Sequence, residues 1–314
     1  MNQERPISKL RISVTDACNF RCLYCMPESV TFQDKKEHLS YDQISKVIQH
    51  LKLLVPLSQI RITGGEPLLR PRLSELILKL RLQNIHDIGL TTNGFFLSRD
   101  LTELKEAGLT SVNLSLDSLE KNTFYNMASL KESGAFEKVL GALEDCLNAG
   151  IKVKTNTVVM KNKNVDQIIP LIEAGKKKGF YPRFLELMSL GEGRKYQDHF
   201  FSMQEMLTLI HAHFGRSKVI ASPQDSTSVN LKTESGHYFG IIASESEPFC
   251  QHCSRMRLSA DGKLYGCLMK NEGLSLKNSL DNIDDVAKIL QEAILMKPYY
   301  RIYSSETPMY TLGG

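Results

Sequence analysis

The strongest constraint on this chain is a repeated alternation over its first two thirds. Short β-rich runs end in polar or glycine-rich turns, and segments of helical period follow. Candidate strands lie at 10–14, 59–63, 87–91, 111–116, 152–159 and 182–187. Candidate helices lie at 41–54, 72–83, 100–107, 136–149, 165–178 and 202–214. The helix assignments rest on spacing: Ile44, Val47, Ile48 and Leu51 recur at three- and four-residue intervals, with Ser40 or Asp42 as N-cap. Leu73, Leu76, Ile77 and Leu80 repeat the pattern, as do Phe136, Val139, Leu140 and Leu143. Six successive βα units predict a parallel sheet with right-handed crossovers. Six falls short of the eight that close a TIM barrel, so the expected form is an α/β partial (β/α)6 barrel, with a doubly wound sheet as the alternative. Either fold gathers reactive groups at the C-terminal ends of the strands. Thr15-Asp16, Gly64-Gly65-Glu66, Thr91-Thr92-Asn93 and Ser115-Leu116-Asp117 stand there.

From about Val219 the alternation stops. A polar stretch, a strand at 238–243, a second cysteine group and a helix near 284–295 follow. The expected division is therefore a barrel over 1–216 and a C-terminal extension over 217–314, packed on it. A chain of 314 residues builds a core without disulfides. With 42% apolar and 24% charged residues it is neither disordered, collagen-like nor a coiled coil. No run approaches a membrane span, and the first residues hold no apolar signal region, so a cytoplasmic protein is expected. The net charge of +4, without a long basic run, does not argue for nucleic acid and allows an anionic small substrate.

Seven cysteines form two triads and one outlier, Cys146. An odd count in tight clusters suits metal or cluster ligation better than disulfides. Cys18, Cys22 and Cys25 are spaced C-x3-C-x2-C after the first strand. Three thiolates on a four-iron cube leave one iron open; the alternative is a zinc site completed by His38 or His50. Cys250, Cys253 and Cys267 are spaced C-x2-C-x13-C, again three, with His252 or His237 as the zinc-completing alternative. Cys146 lies three residues after Leu143, on a helix, and reads as a small buried apolar group. Arg11, Arg61 and Lys154 sit on or beside strands, joined by Arg183, Arg255 and Arg257. Arginine's fork suits phosphate. Bases inside a barrel need an anion, unless Arg61 or Arg183 pairs with Glu66 or Glu186.

Cys18-Asn19-Phe20-Arg21-Cys22-Leu23-Tyr24-Cys25, with Gly64-Gly65-Glu66-Pro67 after the second strand, resembles the radical S-adenosylmethionine (SAM) superfamily. The stretch Phe249-Cys250-Gln251-His252-Cys253-Ser254-Arg255-Met256-Arg257-Leu258, continuing to Cys267-Leu268, resembles the GTP 3′,8-cyclases, the molybdenum cofactor biosynthesis protein A family. Arg11–Asp16, Ile60–Leu68, Ile88–Gly94, Asn113–Asp117 and the terminal Gly313-Gly314 extend that likeness over nearly the whole chain. The resemblance implies a lyase that converts GTP to 3′,8-cyclo-7,8-dihydro-GTP with a SAM-derived 5′-deoxyadenosyl radical. It implies two [4Fe–4S] clusters, one on Cys18, Cys22 and Cys25, the other on Cys250, Cys253 and Cys267 with its open iron on the guanine. Tyr24, Gly65, Ser115 and Met188 map onto SAM-contacting positions. Arg11, Arg61, Thr91, Lys154, Arg255, Met256 and Arg257 map onto GTP-contacting ones. Arg257 and the Gly313-Gly314 tail are implied to assist the reaction.

The implied partners are an electron donor and a downstream cyclic pyranopterin monophosphate synthase; a homodimer is compatible with the resemblance. The chain departs from the pattern at Ala17, where many members have Arg, at Gln59, where some have Lys, and at Lys161-Asn162-Lys163-Asn164. Two other classes remain. One is a radical SAM enzyme acting on a peptide, although such relatives carry more C-terminal cysteines than the three here. The other is a zinc-binding adaptor without catalysis.

Overall fold

The computed structural model describes residues 5–130, 133–302 and 308–313; Gly314 lies outside them. Six strands, β1 (Lys9–Ser13), β2 (Gln59–Thr63), β3 (Asp87–Thr92), β4 (Ser111–Ser115), β5 (Lys152–Val159) and β6 (Tyr181–Glu186), lie side by side in chain order, each parallel to the next. The connections carry helices α1 (Tyr41–Leu54), α2 (Leu73–Leu82), α3 (Leu97–Ala107), α4 (Lys121–Ala128), α5 (Ala135–Asn148) and α6 (Ile168–Lys178); α7 (Met203–Phe214) follows β6. Side chains alternate along a strand. Leu10, Ile12, Ile60, Ile62, Ile88 and Leu90 face the helices and are buried in one core. The intervening residues face the barrel lumen.

The helices begin where local chemistry tells them to. Ser40 caps α1: its hydroxyl accepts from Gln43 N at 3.1 Å while its own N–H donates to Gln43 Oε1 at 2.8 Å. Ile44, Val47, Ile48 and Leu51 then meet the sheet. α4 was not anticipated; Glu120 caps it by accepting from Asn122 N and Thr123 N.

The chain after residue 216 does more than pack on the barrel. It adds strands to both edges of the same sheet. β9 (Tyr238–Ile242) pairs parallel with β6, and β8 (Val229–Thr233) and β7 (Ser217–Val219) continue antiparallel beyond it. β10 (Arg255–Leu258) pairs parallel with β1, followed by β11 (Lys263–Tyr265) and β12 (Leu274–Ser275). The sheet has 12 strands in the order β12-β11-β10-β1-β2-β3-β4-β5-β6-β9-β8-β7. Without β9 and β10, strands β1 and β6 would each present an unpaired edge. These strands are only two to five residues long, and the sequence pattern shows only β9. Helices α8 (Ile283–Leu295) and α9 (Met309–Leu312) complete the chain. Among the described residues no helix is long and apolar enough to cross a membrane.

Candidate active site

At the C-terminal ends of the strands, Cys18, Cys22 and Cys25 line one cavity with Tyr24, Gly65, Ser115, Met188 and Thr91. The loop carrying the thiols is fixed by the turn after β2. Gly65 N donates to Thr15 O at 2.7 Å and Glu66 N to Ala17 O at 2.8 Å. A Cβ on Gly64 would lie 2.5 Å from Thr15 O, and one on Gly65 would lie 2.3 Å from Ala17 O. Both glycines are therefore demanded by the cysteine loop itself. Glu66 is fully buried and accepts from Leu68 N (3.0 Å), Thr92 Oγ1 (2.7 Å) and Asn93 N (2.8 Å). Burial raises its carboxyl to about 7 against those bonds.

The thiols have their own partners. Cys18 Sγ accepts from Phe20 N at 3.4 Å, with Asn93 Nδ2 at 3.9 Å. Tyr24 donates to Asp117 Oδ2 at 2.8 Å, and Val158 N donates to Oδ1 at 2.9 Å. Burial pushes the Cys18 and Cys25 thiols up to about 12, and Cys22 well above its ordinary value; Glu66, Asp117 and the neighbouring cysteines add to it. An all-sulfur set of this kind becomes thiolate against a cationic centre, which is what a cluster offers. The histidines needed by the zinc alternative are engaged elsewhere: His38 faces Asp16 at 3.5 Å and His50 Nε2 faces Leu280 O at 3.1 Å.

Cys250 and Cys253 lie between β9 and β10, and Cys267 follows β11. Burial and then Cys267 and Cys253 raise the Cys250 thiol, so the three sulfurs share one neighbourhood. Cys253 Sγ has Arg255 Nη2 and Lys297 Nζ each at 3.6 Å. Burial raises its pKa, but these two cations outweigh it and hold the thiol at about 6. Lys297 is buried and also donates to Arg255 O (2.6 Å) and Gly266 O (3.0 Å). Arg5 donates to the carbonyls of Cys250, Lys297 and Pro298. Neither Lys297 nor Arg5 is anticipated, because a base after an amphipathic helix or near a chain end reads as solvated surface. His252 is exposed and His237 Nδ1 pairs with Ser235 Oγ at 3.0 Å. Among the described residues no three His, Cys, Asp or Glu groups close on a single-ion site; a four-iron cube is wider, with each thiolate on a different iron.

The lumen is basic. Arg11, Arg61, Lys154, Arg183 and Arg255 line one cavity, and Arg257 stands next inward on β10. Arg61 donates to Ser111 Oγ at 3.0 Å, and its guanidinium crosses Gly89 so closely that a Cβ there would lie 1.2 Å from Nη1. Burial lowers Arg11 well below its ordinary value, with Arg257, Arg255, Arg61 and Arg183 adding repulsion. Arg257 and Arg183 fall to about 10, mainly by burial. Lys154 falls to about 8, by burial and then by Arg183 and Arg61. Among the described residues none of these six bases makes an ion pair with a carboxylate. Glu186 instead accepts from Met203 N, Glu245 N and Ser246 N, so the expected alternative of Glu66 or Glu186 as partner does not hold. Clustered, uncompensated guanidinium groups make a polyanion site.

Two expectations need correction or extension. Strand alternation sends the Met256 side chain into the core beside Leu10 and Leu258, so the side chain does not line the lumen. The tail does reach the lumen: Arg257 Nη1 donates to Leu312 O at 2.9 Å and to Gly313 O, and Arg11 Nη1 donates to Gly313 O at 3.2 Å. Gly313 has φ +67°, and a Cβ would meet Thr63 Cγ2 at 2.1 Å. Thr91 lines the first cavity and accepts from Asn113 Nδ2 at 3.3 Å.

The radical SAM superfamily model matches residues 12–174, and the Molybdenum Cofactor Synthesis C model matches 182–301. A Synechocystis sp. protein named GTP 3′,8-cyclase is 40% identical over 313 residues, spanning 99% of this chain and 93% of its own. A Helicobacter pylori protein of the same name is 37% identical over 328 residues, spanning 99% and 98%. In fold, the chain is similar to SuiB of Streptococcus suis bound to precursor peptide SuiA (TM-score 0.65, 13% identity, 88% of this chain and 64% of that one). It is also similar to anSMEcpe with bound AdoMet (TM-score 0.59, 16% identity, 93% and 84%). These two likenesses concern the fold alone. With both family models in sequence along it and relatives matched over nearly its full length, the chain belongs to the radical SAM superfamily and, within it, to the GTP 3′,8-cyclase family.

Proposed function

We propose that the protein is a lyase of molybdenum cofactor biosynthesis that converts GTP to 3′,8-cyclo-7,8-dihydro-GTP. The observation that carries this reading is the basic cavity of Arg11, Arg61, Lys154, Arg183 and Arg255, none of them ion-paired to a carboxylate among the described residues, in a chain with two triads of free cysteines. Membership of the superfamily brings a [4Fe–4S] cluster and SAM. Cys18, Cys22 and Cys25 would hold that cluster, and Tyr24, Gly65, Ser115 and Met188, which line the same cavity, would surround the SAM. When bound, the cluster and SAM would supply the 5′-deoxyadenosyl radical chemistry of the conversion, with the further electron and proton that the dihydro product requires. Cys250, Cys253 and Cys267 would hold a second cluster, which would supply a further binding point for the guanine.

The chain's own work is placement. Arg11, Arg61, Lys154, Arg183 and Arg255 bind the triphosphate. Thr91 and the Met256 main chain complete the GTP site, and Arg257 anchors both guanine and tail. Gly313, held by Arg11 and Arg257, places the end of the described chain against the lumen, where the tail helps activate the site. No side chain is needed as a general base; fixed geometry replaces the entropy of encounter. Residues 1–216 form the SAM half, and 217–314 bring the second cluster and the tail. An electron donor feeds the protein, and the product passes to a cyclic pyranopterin monophosphate synthase in the cytoplasm; a homodimer fits this scheme. The test is anaerobic turnover with SAM, dithionite and GTP. We expect 5′-deoxyadenosine to depend on GTP and to appear with a cyclised nucleotide, at about eight irons per chain. SAM cleavage indifferent to GTP would overturn the reading.

A further inference from the structure

The basic cavity has one acidic wall. Asp225, on the segment between β7 and β8, is the only carboxylate among the described residues that line it. Its Oδ1 lies 2.7 Å from Lys9 Nζ, and both side chains are 23% exposed. Its Oδ2 accepts from the Ser254 hydroxyl, with Ser8 Oγ at 3.5 Å. Lys9 opens β1 and faces the lumen two residues before Arg11. Its register partners are Gln59 on β2 and Arg255 on β10. The Gln59 amide is turned to Asp87 and puts no charge into the cavity. Lys9 thus extends the row of bases outward, toward the N-terminal ends of the strands.

That position has a meaning for a nucleotide. The first thiol triad is at the opposite, C-terminal ends, so the reacting ribose faces that way. The phosphates then trail toward the N-terminal ends, and the last of them meets the outermost base. We propose that Lys9 and Asp225 are a charge-exchange pair for the terminal phosphate of GTP. Without nucleotide, Asp225 is the counter-ion of Lys9. When GTP enters, the γ-phosphate takes Lys9 over and Asp225 leaves with its loop. The ammonium is paired in both states, so it never stands alone in the lumen. A nucleotide without a γ-phosphate does not reach Lys9 and leaves the Asp225 pair in place, so a change at Asp225 moves GTP more than GDP. This inference rests on the lumen being the GTP site.

The test is calorimetric binding of GTP and of GDP to the anaerobically reconstituted protein, without SAM. Asp225→Asn keeps an acceptor for Ser254 but frees Lys9; we expect GTP to bind about threefold tighter or more, with a smaller change for GDP. Lys9→Met weakens GTP about tenfold and GDP much less, and Lys9→Arg restores GTP. In the Lys9→Met background, Asp225→Asn brings no comparable tightening. Arg61→Ala checks the underlying site and loses GTP binding. If Arg61→Ala loses binding but Asp225→Asn leaves GTP unchanged or weaker, the exchange pair is wrong and the site stands. If Arg61→Ala binds GTP like the parent, the site reading and the pair fall together.

Discussion

Arg61 needs the room that Gly89 leaves. The glycine stands on β3 and the arginine on β2, and no local pattern in either strand reveals that one clears space for the other. Gly89→Val should push the guanidinium off Ser111 and weaken GTP binding by about tenfold or more, with the thermal midpoint little changed. Parent-like GTP affinity would remove Arg61 from the phosphate contacts. Arg257 differs, because it holds the carbonyls of Leu312 and Gly313 as well as facing the lumen. Arg257→Ala should keep SAM cleavage at some level while losing the cyclised product, read by chromatography of the quenched reaction. An unchanged product yield would take Arg257 out of the reaction. The cysteine spacing announced both triads. It was silent on Lys297 and Lys9, whose settings depend on strands joined from distant parts of the chain.

At the scale of elements, legibility followed local chemistry. α1 is legible from Tyr41 to Leu54 because an N-cap at Ser40 or Asp42 and four periodic apolar residues point to one helix, and the structure settles the cap on Ser40. β10 was not legible as a strand. Arg255-Met256-Arg257-Leu258 alternates, but with arginines on the face opposite the buried Met256 and Leu258 it reads as a solvated segment. α5 carries the remaining cysteine as the spacing implied: Cys146 is 1% exposed, in the core with Val139 and Leu143. Cys146→Ser would bury a hydroxyl in that apolar setting and should cost about 1–3 kcal/mol. The expected readout is a lower thermal midpoint with iron content unchanged. Lost iron with an unchanged midpoint would mean that Cys146 serves a cluster.

Over the whole molecule, charge placement matters more than the net +4. Lys154 gathers that effect in one group, since burial, Arg183 and Arg61 bring its ammonium down to about 8, with Lys152 adding slightly and Asp87 opposing. A bound triphosphate favours the protonated form. GTP binding should therefore take up a proton once pH exceeds about 8, and affinity should fall as pH rises through that value. Calorimetry in two buffers of different ionisation enthalpy should show the uptake at about pH 8.5, and lose it in Lys154→Met. Equal heats in the two buffers would mean that Lys154 does not meet the phosphates.

The strands that close the two edges of the sheet also impose a schedule on biosynthesis. β6 finds its outer neighbour only at Tyr238–Ile242, and β1 waits for Arg255–Leu258, some of the last strands made. On the ribosome, the emerging barrel half carries two sticky edges while its cysteine loop is already in place. A nascent chain stopped near residue 216 would be an aggregation hazard rather than a smaller enzyme. The late strands also bring in Arg255 and Arg257, so the nucleotide cavity is completed by the same segment that seals the sheet. A half-made chain thus has no finished place to hold its nucleotide substrate.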